Sequence, residues 1–295
     1  MSRHGRIITR YGAEMLVEDV QDREIHRCTG RRRAAQAVCG DFVLWEPAGH
    51  GNGVVLDILP RRNLLSRPAP NGREKLIAAN IDLAAVVIAH GMKPNWDMLD
   101  HYLVAVHNLP AEPLVLCNKA DLAETDGGDF AVRLDEYRQI GYPVIECSVR
   151  TGAGMDAVAK AFSSGTAILL GQSGVGKSSL VKYLLPDLDI RIGALSAHSG
   201  EGQHTTSVAT LYHLPEGGDL IDSPGVRDFR PGRLDRKALE HGFPEFSPFL
   251  GQCRFNDCTH RSEPGCAIRA AVEQGQILER RYRSYLRLLE ASEAT

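Results

Sequence analysis

Eight consecutive residues, Gly171-Gln172-Ser173-Gly174-Val175-Gly176-Lys177-Ser178, restrict what this chain can be more than any other stretch. They follow an apolar run, Ala167 to Leu170, that reads as a buried strand. They open a helical pattern in which Leu180, Val181 and Leu184 share one side before Pro186 stops it. Strand, glycine-rich turn and helix, in that order, are what a phosphate-binding loop requires. The glycines let backbone N–H groups converge on phosphates at the positive end of a helix. Lys177 would neutralise β- and γ-phosphate charge, which also makes it a catalytic candidate, and the hydroxyl of Ser178 suits Mg²⁺. Gly171 to Ser178 and the adjoining Ser179 are therefore candidate nucleotide-binding residues. The competing reading, a plain glycine-rich turn, gives Lys-Ser no reason to stand there.

The flanking sequence is α/β. Leu83 to Ala89 reads as a buried parallel strand, and after Pro94-Asn95 comes a helix with Leu99, Tyr102, Leu103 and Val106 on one face. Leu114 to Cys117 is the next strand, ending in Asn118-Lys119-Ala120-Asp121. A helix from about Asp129, with Leu134 and Tyr137 inward, closes at Gly141; Pro143 to Cys147 is a strand that ends at Ser148. Met155, Val158, Ala159 and Phe162 mark a further helix. This alternation predicts an open, doubly wound sheet, where ligands bind beyond the carboxyl ends of the strands. Asn118, Ser148 and Gly171 all fall at such ends.

Asn-Lys-x-Asp is short, and alone it is matched by many surface turns. Beside a phosphate loop it specifies guanine. A carboxylate at Asp121 accepts from the N1–H and the exocyclic amine, a pair that adenine does not offer. The stem of Lys119 would cover the base plane, Asn118 would tie the loop to its neighbours, and Ala120 lies within the same turn. Ser148 and the backbone after it would touch the base from the next strand end.

Downstream, Leu220-Ile221-Asp222-Ser223-Pro224-Gly225 reads as a strand ending in Asp-x-x-Gly. Asp222 would hold Mg²⁺ through water, and the Gly225 N–H would sense the γ-phosphate. Arg191 to Thr206 is polar and without periodicity, ending Gly202-Gln203-His204-Thr205-Thr206, and such long segments are usually functional. It predicts a switch loop in which Thr205 or Thr206 closes on Mg²⁺ when the γ-phosphate is present. Val226 stands where many GTPases place the glutamine that orients water. Either His204 holds the water instead, or a partner completes the site. The base-reading motifs precede the phosphate loop, which we read as a circular permutation. One consequence is that the switch after Asp222 runs directly into the C-terminal region.

From Met1 to about Pro70 the runs Arg6 to Thr9, Glu14 to Val17, Glu24 to Cys28, Ala37 to Cys39, Phe42 to Trp45 and Val54 to Ile58 predict a small all-β barrel of five or six strands. The oligonucleotide-binding barrel is one such solution. Arg31, Arg32 and Arg33, with Arg61, Arg62 and Arg67, are either phosphate anchors or solvated loop charges. Ser66 to Gly72 reads as a turn-rich linker. Near the other end, Cys253-x₄-Cys258-x-His260-x₅-Cys266 supplies three sulfurs and one nitrogen, a closed tetrahedral shell for structural zinc, set among loop-forming residues. The last helix turns Leu278, Tyr282, Tyr285, Leu286 and Leu289 inward, while Arg280, Arg283 and Arg287 line another face, toward RNA phosphate or only water.

These divisions give a barrel over 1–70, a permuted GTPase domain over 71–232 and a zinc-binding helical domain over 233–295. A composition of 43% hydrophobic and 24% charged residues is that of an ordinary soluble protein, and no apolar run is long enough to cross a bilayer. The start lacks a signal-peptide core, so a cytoplasmic monomer is expected, with no membrane partner. A net charge of −3 argues against indiscriminate binding of polyanions.

Taken in order, the barrel, Asn118 to Asp121, Gly171 to Ser178, Gly202 to Thr206, Asp222 to Gly225 and the Cys/His cluster with Glu263-Pro264-Gly265-Cys266 resemble the small-subunit ribosome biogenesis GTPases of the RsgA (YjeQ) type, over nearly the whole chain. The resemblance implies a multi-domain α/β protein: an oligonucleotide-binding-fold barrel, a permuted P-loop GTPase domain and a zinc-bound helical domain. It implies a GTP hydrolase that binds GTP and GDP, Mg²⁺ and one Zn²⁺. It further implies action late in maturation of the small (30S) ribosomal subunit, stimulation by that subunit, and contact with its 16S rRNA controlled by nucleotide state. His204 matches the histidine regarded as catalytic there. Ser207 stands where a third threonine is common, and the segment before the barrel is short for an RNA-binding tail. Two rivals are a P-loop kinase, for which no arginine-bearing lid is evident, and an RNA-binding assembly factor whose nucleotide site is a relic.

Overall fold

The computed structural model describes residues 1–49, 51–68, 74–125, 128–187, 208–223, 232 and 234–293. Its strands are β1 (Arg3–Tyr11), β2 (Glu14–Asp19), β3 (Ile25–Gly30), β4 (Phe42–Gly49), β5 (Asn52–Ile58), β6 (Leu64–Pro68), β7 (Glu74–Ala79), β8 (Leu83–Ala89), β9 (Glu112–Asn118), β10 (Val144–Glu146), β11 (Thr166–Leu170), β12 (Thr210–His213) and β13 (Asp219–Asp222). Its α-helices are α1 (Trp96–His107), α2 (Gly128–Ile140), α3 (Met155–Ala161), α4 (Lys177–Leu184), α5 (Arg236–His241), α6 (Ala267–Glu273) and α7 (Glu279–Glu293).

The nucleotide-type sheet has the order β10-β9-β8-β11-β13-β12, parallel except for β12. β8 and β11 lie in its middle and are buried on both faces, which is why each reads as an unbroken apolar run. Helix α1 buries Leu99, Tyr102, Leu103 and Val106, the face its spacing predicts, and starts at an Asn95 cap whose side chain accepts from the Met98 N–H. β9 and β10, the two strands that carry base-reading loops, come with β8 before the phosphate-loop strand β11 in the chain, and all three lie on one side of it. This is the strand placement that the circular permutation predicts.

β1, β2, β3, β5 and β4 close on one another through a β1–β4 pairing and form a five-stranded barrel around Trp45, Ile7, Met15, Val17, Val43 and Val55. Ala37 to Cys39, expected as a strand, is a turn instead. The Val38 N–H donates to Asp41 Oδ2 at 2.8 Å, Gly40 takes φ +86°, and Cys39 makes a single bridge to Ala78. Ser66 to Pro68, expected within a linker, completes β6, because Leu65 and its partner Ala78 are needed in the main core. Barrel and GTPase sheet are continuous: Thr9 of β1 pairs with Thr210 of β12. At that junction Arg6 reaches Asp219 and Thr166 at 2.5 Å each, while His213 lies 2.6 Å from both Glu18 and Asp219.

Arg61 and Arg62 are structural. Arg61 pairs with the fully buried Asp41 at 2.7 Å, and Arg62 with Asp82, the residue before β8. The arginine stripe of the last helix is likewise largely engaged. Arg280 meets Asp100 at 3.1 Å and Glu136 at 2.9 Å, Arg287 meets Asp97, and Arg283 pairs with Glu279 of its own helix. Two of the three therefore face the GTPase domain, whose acidic residues lie far off in sequence. A second core, around Phe243, Phe246, Ile268, Tyr285 and Leu289, packs these C-terminal helices onto α1 through Val104. Among the described residues no helix is long and apolar enough to cross a membrane.

Candidate functional site

The phosphate loop is shaped by glycines that no other residue could replace cheaply. Gly171, at the end of β11, has φ +134°, and a Cβ there would lie 2.4 Å from the Val87 carbonyl oxygen. Gly176 has φ +94°, and its Cβ would meet Asn118 Nδ2 at 2.3 Å. Lys177 begins α4 and is buried, with Nζ donating to Gly171 O at 2.6 Å and Gln172 O at 2.5 Å. Ser173, Gly174, Ser178 and Ser179 are exposed around the helix N-terminus, while Val175 anchors the loop in the core. A helix start whose first N–H groups lie beyond the reach of the helix's own carbonyls, with a lysine and two hydroxyls beside it, is a site for a polyphosphate.

The second half-site abuts the first. Asn118 ends β9, and its Nδ2 donates to Val175 O at 3.0 Å. Lys119 takes the left-handed conformation, φ +59°, which sends its Nζ to Gly174 O at 2.9 Å. The Ala120 N–H donates to Cys147 O at 2.9 Å and pins the turn to the next strand end. Asp121 is thereby placed beside Ser148, whose hydroxyl donates to its Oδ1, and Arg150, whose Nε donates to its Oδ2 at 2.7 Å. Ser148 first and then Arg150 hold the Asp121 carboxyl below the usual carboxylate range, so it is an anion ready to accept. Asn118, Lys119, Asp121, Leu122, Ser148, Val149, Arg150, Gly176 and Ser179 line a cleft of about 510 Å³, open to solvent. That is ample for a nucleoside. Arg150 was not singled out from sequence; an arginine two residues past a strand-end serine was the available signal.

Asp222 ends β13, the strand beside the one that delivers Gly171, with Ile221 in register with Ile168. His204, Thr205, Thr206 and Gly225 lie outside the described residues, as do Gly202, Gln203, Pro224 and Val226.

Residues 58–231 match the family model described as RsgA GTPase. The chain belongs to the RsgA GTPase family. It is 45% identical over 291 residues to the small ribosomal subunit biogenesis GTPase RsgA of Chromohalobacter salexigens, covering 98% of this chain and 86% of that one. To the protein of that name in Pseudomonas aeruginosa it is 44% identical over 292 residues, covering 99% and 86%. Among solved structures, YjeQ from Thermotoga maritima superposes with a TM-score of 0.82 at 29% identity, covering 100% of both chains. YloQ, a circularly permuted GTPase, gives 0.78 at 26% identity, covering 100% of this chain and 96% of its own.

In this RsgA-family chain the Cys/His cluster is assembled by the loops between α5 and α6. The ligand atoms of Cys253, Cys258, His260 and Cys266 lie within 4.8 Å of one another. Tetrahedral zinc, with bonds of about 2.3 Å to sulfur and about 2.0 Å to nitrogen, needs S···S of ~3.8 Å and S···N of ~3.5 Å. His260 Nδ1 stands 3.5, 3.5 and 3.4 Å from the sulfurs of Cys253, Cys258 and Cys266, and Cys253 Sγ is 4.0 Å from Cys266 Sγ. The donor set fits the metal. Burial pushes the Cys258 thiol up to about 12 and raises Cys266 too, so sulfurs packed this closely become thiolates only with a cation between them. Burial also lowers the pKa of His260 and keeps the ring neutral, as a ligand must be.

Proposed function

We propose that this GTP hydrolase acts in maturation of the small ribosomal subunit, with its nucleotide state governing residence on the subunit's 16S rRNA. The observation that carries the reading is the direct tie between the half-sites: Asn118 Nδ2 to Val175 O at 3.0 Å, and Lys119 Nζ to Gly174 O at 2.9 Å. A guanine base joined to a polyphosphate is the molecule that fits both. The names carried by relatives more than 40% identical along nearly all of this chain supply the cellular setting.

In this reading Asp121 accepts from guanine N1–H and N2–H, Lys119 covers the base, and Ser148 with Arg150 fixes the carboxylate. Gly171 to Gly176 cradle the phosphates with N–H groups, and Lys177 exchanges its loop carbonyls for phosphate oxygens. Ser178 and Asp222, with Thr205 or Thr206, would hold Mg²⁺, which would supply positive charge to offset that of the phosphates. His204, or a group of the subunit, orients the attacking water, because Val226 neither donates nor accepts. Cys253, Cys258, His260 and Cys266 would hold one structural Zn²⁺. Our reading keeps the division into 1–70, 71–232 and 233–295 and takes the exposed Arg31, Arg32 and Arg33 on the barrel as phosphate anchors. We place the protein in the cytoplasm as a monomer.

GTP turnover measured with and without purified small subunits tests the proposal. A rate that rises with subunit concentration is expected. An unchanged rate would favour an assembly factor that binds RNA without using the site.

A further inference from the structure

We infer that Glu240 is the positioning residue for His260, the nitrogen ligand of the zinc cluster; this rests on the reading of that cluster as a zinc site. His260 points Nδ1 at the three sulfurs, which leaves Nε2 on the far side of the ring, in a side chain only 5% exposed. A ring that gives Nδ1 to a metal keeps its proton on Nε2, and a buried N–H needs an acceptor. Glu240 Oε1 lies 3.6 Å from that nitrogen, an ion-pair separation just beyond hydrogen-bond reach. This oxygen is buried and, among the described residues, accepts no hydrogen bond. An acceptor without a donor and a ring nitrogen that must donate thus face each other. Arg236 Nε, 3.2 Å from the same oxygen, offsets the carboxylate charge beside a cluster that would be anionic with its metal.

The helix bearing Glu240 is fastened where this role requires it. α5 is capped by Asp235, whose Oδ1 accepts from the Ala238 N–H at 2.8 Å. Arg236 Nη1 donates to Asp257 O at 2.8 Å within the cluster loop, and Asn108 Nδ2, just past α1, donates to Ala238 O at 2.9 Å. His260 itself has φ +64°, a left-handed conformation that a non-glycine residue holds only under constraint. The Tyr282 hydroxyl, donating to His260 O at 2.5 Å, fixes its backbone; Glu240 fixes its ring. The carboxylate would also raise the basicity of the metal-bound nitrogen. Sequence spacing gives no hint of this, since Glu240 stands 20 residues before His260.

The test uses the full chain with its metal. Zinc content is measured first, then zinc release to a chromogenic chelator for the parent, Glu240→Gln and Glu240→Ala, and finally the visible spectrum of each cobalt-substituted protein. Glu240→Gln keeps the shape and removes the charge. We expect one zinc per chain in the parent, metal affinity weaker by roughly 10- to 100-fold in both variants, and displaced cobalt bands in Glu240→Gln. Parent-like release and parent-like cobalt bands in Glu240→Gln overturn the inference, whether or not Glu240→Ala folds. A parent protein that binds no zinc overturns the zinc reading itself.

Discussion

Arg281 Nη1 lies 2.6 Å from Asp100 Oδ1, and neither side chain is exposed to water. The pair joins α7 to α1, and it does not stand alone. Arg281 Nε reaches Glu245 Oε1 at 2.6 Å, the guanidinium lies 4.5 Å from the Phe243 ring centroid, and the Tyr137 hydroxyl donates to Asp100 at 2.5 Å. Burying an arginine is costly, so it is tolerated only with such a full set of partners. The C-terminal helices and the GTPase domain are therefore locked by charge inside a shared apolar boundary.

Removing one side of that lock strands the other. Arg281→Ala should destabilise the folded chain by about 3 kcal/mol, because buried Asp100 keeps only Arg280 and the Tyr137 hydroxyl, and Glu245 loses its partner. Denaturant unfolding reads the loss. Asp100→Ala in the same background should cost far less than it does alone, and strictly additive losses would show that the pair is not coupled.

Asp121→Asn should weaken GTP by roughly 10- to 100-fold, since an amide cannot accept from both guanine donors, and should admit xanthine nucleotides. Fluorescent-nucleotide titration checks it. Retained preference for guanine would remove Asp121 from the base site.

Asn118→Ala tests the tie between half-sites separately. It touches neither base nor phosphate donors directly in this reading, yet loss of the Val175 carbonyl contact should lower affinity for GTP and for GDP together, about 10-fold. An effect confined to GTP would place Asn118 elsewhere in the mechanism.

The junction of barrel and GTPase sheet should respond to pH. The Asp219 and Glu18 carboxylates raise His213 from 6.5 to about 9. A raised folded-state pKa means that the stabilisation is complete below the unfolded value and is lost as pH rises. The loss should therefore fall between pH 6.5 and about 9. Melting curves across that window should decline, and His213→Gln should remove this part of the slope. A parallel decline in the variant would assign it to other groups.

Chelation of the bound metal should speed hydrogen exchange in the loop from Cys253 to Cys266 while nucleotide affinity stays largely unchanged. Exchange mass spectrometry and titration on one sample decide it. Simultaneous loss of both would show that the zinc loop and the GTPase domain do not unfold separately.

What the sequence determined by itself was local chemistry. Gly171 to Ser178, Asn118 to Asp121 and the Cys253-to-His260 spacing are legible because each is a short run whose conformation and ligands are set by neighbouring residues. The apolar runs of β8 and β11 are legible for the same reason: a strand buried on both faces has no polar positions to spare. Tertiary structure decided what crosses between segments. The helical period marks Arg280, Arg283 and Arg287 as one charged face and passes over Arg281, yet Arg281 is buried and Arg283 exposed, because Asp100 and Glu245 come to meet Arg281. Arg150 on Asp121 and Glu240 facing His260 are of the same kind. Periodicity reports that a side chain faces something. Only the folded chain supplies the partner, since opposite charges far apart in sequence leave no mark on each other until packing removes the water between them.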